Sequence, residues 1–195
     1  MSIKLNGATS GSVELDVPDA IGSDVSGVLL PTAAGTLDRL ERAGNILQVV
    51  TASTSTEVVI TDDTMTDTGL SATITPSSTS SKILILISQT YRIQREGSNF
   101  GGINVLRGST TIHDGVKNTG GGFEFGNAFE GSDLTNVSSG RADITFVDSP
   151  STTSATTYKT QGANNTTADS PVFTFQIGGT VSDSTSYITL MEIAG

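Results

Sequence analysis

The chain has no cysteine and no tryptophan, one histidine and five prolines in its 195 residues. Without cysteine there are no disulfides and no thiolate metal sites, and such a chain suits an oxidising or a reducing compartment equally. A histidine-based zinc site needs more than one imidazole, so His113 alone does not supply one. Lys and Arg number ten against twenty Asp and Glu, giving a net charge of −10 with no basic run to offset it. A uniformly acidic surface repels nucleic acid and anionic membranes, so neither is expected as a partner. Long apolar runs are missing too. No segment approaches the ~20 residues of a membrane span, and no membrane insertion is expected. The opening MSIKLNGATSGS has no apolar segment of the kind a secretory signal carries.

Aromatic residues make up 5% of the chain and apolar residues 35%. A core of Ile, Val, Leu and seven Phe is thin for this length. Association of copies would add buried area, which is one reason to expect an oligomer. The charged fraction of 15% argues against disorder, which usually combines low hydrophobicity with high net charge.

What the chain does have is short β-branched runs separated by Ser, Thr, Asp and Gly. Between Ile46 and Ile93 the runs are ILQVVTAS, TEVVIT, ATITP and KILILISQTYRI. Ile83, Ile85 and Ile87 alternate with Lys82, Leu84, Leu86 and Ser88, a period of two that puts the isoleucines on one sheet face. Leu84 and Leu86 make the middle of the other face apolar, so this strand reads as buried on both sides. A sandwich interior or a subunit interface provides such an environment.

Further strands are expected at 102–106, 110–113, 123–125, 142–147, 156–160, 172–177 and 187–193. The breaks between them, GGG at 120–122, DSPSTTS at 148–154 and NNTT at 164–167, are turn chemistry. The fold class predicted is all-β, a jelly-roll-like β-sandwich over 45–195, with a barrel as the alternative. Residues 1–35 read as a small N-terminal β module. Ile3 and Leu5, then Val13, Leu15 and Val17, alternate with polar residues, and Val28–Leu30 forms a third patch. Such short strands need a docking partner, and Leu5, Val13, Leu15 and Val17 are candidates for contact with another component. Residues 36–44 read as a short helix and linker. Thr36 is the N-cap, Asp38 sits in the first turn, Gly44 takes the left-handed position, and Leu37 and Leu40 share a face. That face packs either on its own domain or in a bundle at a symmetry axis.

Catalytic constellations are not found. His113 and Asp114 are adjacent, so on a strand their side chains point to opposite faces, and His113 reads as a strand-end surface residue. No serine sits in a G-x-S-x-G elbow. Asp62, Asp63 and Asp67 in TDDTMTDTG lack the spacing, glycine and terminal glutamate of a calcium loop, and read as a solvated turn. Glu124, Glu130 and Asp133 lie in a Gly-rich region. Two of them would serve a glycosidase only with further support, which the sequence does not give. No cofactor and no metal is expected, and the chain reads as a non-enzyme. Phe123, Phe125 and Phe129 beside the glycines are either a packed hairpin or an exposed contact patch.

Several segments together resemble a known module. GNILQVVTASTSTEVVI, DTGLSATITPSSTSSKILILIS, INVLRGST, VDSPSTTSATTYKTQ and SYITLMEIAG resemble a domain recurrent in tail-fibre and other appendage proteins of tailed bacteriophages, notably marine and cyanobacterial ones. SGVLLPTAAGT is similar to the short modules that precede such domains. The resemblance implies a virion structural protein, a homotrimer that contacts other virion proteins of tail or capsid and a host surface glycan or protein. On that view Leu37, Leu40, Leu84 and Leu86 are the oligomer interface. Leu5, Val13, Leu15 and Val17 are the virion attachment, and Phe123, Phe125 and Phe129 the receptor contact. A trimeric capsid decoration or head-fibre protein is the alternative role, and a polysaccharide depolymerase the third.

Overall fold

The computed structural model describes residues 3–6, 12–15, 43–96, 99–115, 125–127, 135–164, 167, 171–178 and 184–195. The chain forms two compact units, Met1–Asp38 and Arg39–Gly195. In the first, β1 (Ile3–Asn6) and β2 (Ser12–Leu15) form an antiparallel pair, with Leu5 opposite Val13 and Ile3 opposite Leu15. The expected helix at 36–43 and the patch at 28–30 lie outside the described residues, apart from Ala43, which shares a turn with Gly44. Gly44 does have positive φ, +90°.

The second unit holds β3 (Ile46–Thr54), β4 (Val58–Ile60), β5 (Thr66–Ile74), β6 (Lys82–Glu96), β7 (Asn99–Arg107), β8 (Thr110–Asp114) and β9 (Phe125–Asn127). It continues with β10 (Thr135–Asp148), β11 (Thr156–Asn164), β12 (Val172–Phe175) and β13 (Ser186–Ile193). All its pairings are antiparallel, and they are nested. β3 pairs with β13, β4 with β12, β5 with β11, β6 with β10, and β7 with β9 and β8. This is one long hairpin rolled up on itself, the jelly-roll topology. Rolling divides it into a six-stranded and a five-stranded sheet. In the first, β13 lies along Lys82–Ser88 of β6 and β12 along Tyr91–Gln94, while β10 follows the opposite edge of β6 along its whole length. In the second, the order is β5-β11-β7-β8, with β9 beside β7.

The core lies between the sheets. Ile83, Ile85, Ile87, Ile144, Ile188 and Leu190 of one sheet meet Leu70, Ala72, Ile74, Ile103, Val105 and Tyr158 of the other. Each set comes from alternate strand positions, which is what burial of one face requires. Phe173 and Phe175 on β12 fill the widest part, their rings 4.3 Å apart. They fit because the opposing strands offer no side chain there. A Cβ on Gly101 would stand 2.6 Å from the Phe173 ring, and one on Gly162 would stand 2.5 Å from Phe175.

Two buried polar side chains are held by hydrogen bonds from distant strands and loops. Gln176, at φ +48°, closes β12, and its side chain is fully buried. Its amide is satisfied with the nitrogen donating to the carbonyls of Thr56 and Thr68, and the oxygen accepting from Ser186 Oγ and Gln89 Nε2. Glu192 is also fully buried. Its carboxylate accepts from Ser77 N (2.7 Å), Ser77 Oγ (2.6 Å) and Gln48 Nε2 (2.6 Å). Burial alone would raise the Glu192 pKa, but the hydrogen bonds from Ser77, Gln48 and Ser81 outweigh it and lower the value to about 2. Glu192 thereby clamps the loop after β5 to the last strand.

Candidate assembly surface

The two outer faces of the sandwich differ. On the five-stranded sheet the outward positions are the exposed Asp67, Ser71 and Thr73 of β5 and the half-buried Thr157, Lys159 and Gln161 of β11. Lys159 Nζ and Gln161 Nε2 each donate to the Asp67 carboxylate at 2.7 Å. Burial works to raise the Asp67 pKa, and these two neighbours more than offset it, so the pKa is lowered. The β5 edge of this face is water-facing.

The outer face of the six-stranded sheet mixes polar residues with exposed apolar ones. Among the described residues, the large hydrophobic side chains exposed by half or more are Ile46, Val49, Val59, Val137, Val147 and Tyr187. By strand alternation and register all of them lie on this face. Cross-strand neighbours arrange them in rows. Val49, Met191, Leu84 and Val147 form one row across β3, β13, β6 and β10. Thr51, Thr189, Leu86 and Thr145 form the next, and Ser53, Tyr187, Ser88 and Asp143 the third. The first row is a continuous apolar stripe, while the other two set Leu86 and Tyr187 among Thr, Ser and Asp; an exposed apolar stripe rimmed by polar residues marks an interaction surface. A depression of about 310 Å³ lies over Leu86 and Ser88, walled by Tyr187 and Asp143.

Leu84 and Leu86 were expected to be buried, and in the single chain they are half-buried, while Ile83, Ile85 and Ile87 opposite them are fully enclosed. The second face of β6 is therefore open. Around the third row the charges are placed deliberately. Arg141 on β10 reaches across β6, with Nη1 donating to Ser88 O (3.2 Å) and Oγ (3.0 Å) and Nη2 to Thr185 O (2.8 Å). Its guanidinium lies 5.7 Å from the centroid of the Tyr187 ring. Asp143, two residues along β10, forms no ion pair or hydrogen bond among the described residues.

The remaining sequence candidates do not converge on a site. Leu37, Leu40, Val17, Phe123, Phe129, Glu124, Glu130, Asp133 and the glycines at 120–122 lie outside the described residues. Leu5, Val13 and Leu15 fall on the β1–β2 pair, and Phe125 opens β9, opposite Gly101. His113 is not a free strand-end residue. It is half-buried, and its ring stacks on Phe146 of the facing sheet at 5.3 Å and 21°. Asp62 accepts from Thr64 N at 3.1 Å, the Asx turn its sequence suggests, while Asp67 lies on β5 with Lys159, so the three aspartates do not face one centre. Among the described residues no group of three His, Asp or Glu side chains could hold a metal, and no helix is long and apolar enough to cross a membrane. A second cavity, about 320 Å³, is lined by Ser77, Ser78, Ser80, Ser81, Leu47, Ala194 and Gly195. Ser77 serves Glu192 and Ser78 bonds Ser80 at 3.0 Å, so part of its hydroxyl lining is already engaged.

No family model matches the chain, and no curated protein matches it. Among solved structures it is similar to infectious bursal disease virus, Gx strain, at 14% identity and a TM-score of 0.31, covering 97% of this chain and 46% of that one. It is also similar to the VP2 subviral particle of that virus, at 14% identity and a TM-score of 0.34, covering 98% and 45%. The chain spans less than half the length of these structures. The jelly-roll assignment comes from the nested pairing of its own strands.

Proposed function

We propose that this chain is a non-enzymatic virion structural protein, a subunit of a trimeric tail fibre or spike of a tailed bacteriophage that contributes to host attachment. The observation that carries an assembly role is the one-sided surface: the half-exposed large hydrophobics lie on the outer face of the six-stranded sheet, and the opposite face is polar. The virion setting is supported by the resemblance of the segments from Gly44 to Ile60 and from Asp67 to Ser88 to phage appendage modules. Two of the polar candidates are engaged otherwise: His113 stacks on Phe146, and Asp67 pairs with Lys159.

Antibody labelling of purified particles tests the reading. Label at the tail is the expected result. Label over the shell instead identifies a capsid decoration, and absence from purified particles overturns the virion role altogether.

A further inference from the structure

The outer face of the six-stranded sheet carries a charge pattern as well as an apolar one. At the height of the third row, the Arg141 guanidinium is drawn over Ser88 toward Tyr187, on the β13 side. The Asp143 carboxylate stands on the β10 side of the same row and meets no partner among the described residues. A cation on one flank and an anion on the other, at one level, fit a neighbour presenting the same flanks in the same sense. The row below agrees, with Val147 on the β10 flank and Val49 and Met191 on the β3–β13 flank. The face also suits an acidic partner. Its described charges are Lys82, Arg92 and Arg141 against Asp143, on a chain whose net charge is −10. Elsewhere two acidic copies repel; here they do not.

From this juxtaposition, taken with the trimeric reading above, we infer that the outer face is covered by further copies of the chain in heterologous contacts. The β10 flank of one copy meets the β13 flank of the next, with strands running in the same direction and Asp143 facing the neighbour's Arg141 and Tyr187. Heterologous contacts that close form rings, and a ring of three is the assembly proposed above. The inference rests on that assembly reading but not on where in a virion the protein sits. A mass measurement in solution therefore fails independently of particle labelling.

The absence of cysteine makes the contact directly testable. The unaltered chain should be a multimer by light scattering, and a monomer at all concentrations overturns the inference, leaving the face to a foreign protein or glycan. Val147→Asp, at an exposed position, should keep its circular dichroism and melting behaviour while its mass falls to about one third. An unchanged multimer overturns the proposal. Mixed single-cysteine chains Asp143→Cys and Tyr187→Cys should cross-link to each other, whereas Asp143→Cys with Lys82→Cys should not. The reverse result means antiparallel pairing and overturns the parallel contact even if Val147→Asp does not fold.

Discussion

The Tyr158 hydroxyl donates a 2.7 Å hydrogen bond to Asp148 Oδ2, joining the five-stranded sheet to the end of the six-stranded one. Arg107 grips the same carboxylate, Nη1 lying 2.9 Å from each oxygen. One aspartate thus holds together β7, β10 and β11, and only Arg107 among its partners reaches solvent to any extent.

Removing the Tyr158 hydroxyl should therefore loosen the joint between sheets without emptying the core. Tyr158→Phe is expected to cost about 1.5–3 kcal/mol in chemical denaturation, the range for a hydrogen bond to a charged acceptor. Asp148→Ala should cost more, because it leaves a buried hydroxyl and a guanidinium without their acceptor. Burial, then the bond to Asp148, pushes the Tyr158 pKa far up. The unfolded chain would ionise this phenol near its ordinary alkaline value while the folded chain resists. Stability from this group is thus complete below that value and declines as pH rises above it. In an ultraviolet titration Tyr158 should ionise only as the fold is lost, and ionisation with the fold intact would refute the account.

Glu192 sets the acid limit. Its folded pKa, about 2, lies below the ordinary value of 4.5. Between the two the unfolded chain takes up a proton that the folded chain does not, so stability is complete above 4.5 and falls as pH drops toward 2. The loss should approach about 3 kcal/mol. Glu192→Gln should flatten that part of the stability profile and lower the plateau at neutral pH. A profile unchanged by the substitution would show that the Ser77–Gln48 clamp does not hold the loop.

Gly162 and Gly101 are fixed by ring volume rather than by backbone conformation. Gly162→Ala should destabilise by about 1–3 kcal/mol, since Phe175 has nowhere to retreat. Gly162→Ala combined with Phe175→Leu should recover part of the loss, a coupling visible in a double-mutant cycle.

For host contact, the aromatics beside the glycine run remain the proposed site. Replacing Phe123 and Phe125 with serine should weaken adsorption of particles while leaving assembly intact. Equal adsorption by fully assembled particles would remove these residues from consideration.

Much of the strand content was legible because alternation is a local signal. Ile83–Ile87 announced the core face of β6, and the expected strands at 102–106, 110–113, 142–147, 156–160, 172–177 and 187–193 all overlap observed ones. Extents were less legible. β10 begins at Thr135, in a polar stretch whose strand character comes from hydrogen bonding to β6 rather than from its own side chains. The burial of Glu192 in the last strand has no local signal. Its partners lie 115 and 144 residues away in sequence, beyond the reach of any local pattern. The assembly surface was half visible. Leu84 and Leu86 pointed to it, but Val49, Val147 and Tyr187 join them only once β3, β10 and β13 are placed in register.

The nested pairing has a kinetic consequence. Only the β7–β8 turn, with Arg107 opposite Thr110, closes a short loop; each outer pair must bridge a longer stretch than the one inside it, out to Ile46 opposite Ile193. If pairs close in that order, every inner pair shortens the effective loop for the next, so folding should proceed outward from Gly108 like a zipper. Substitutions around β7–β8 should then slow refolding, whereas those in β3 and β13 should mainly hasten unfolding. The β3–β13 side of the assembly surface would be the last part to settle, after its β6–β10 side, delaying association until the rest of the sandwich is in place.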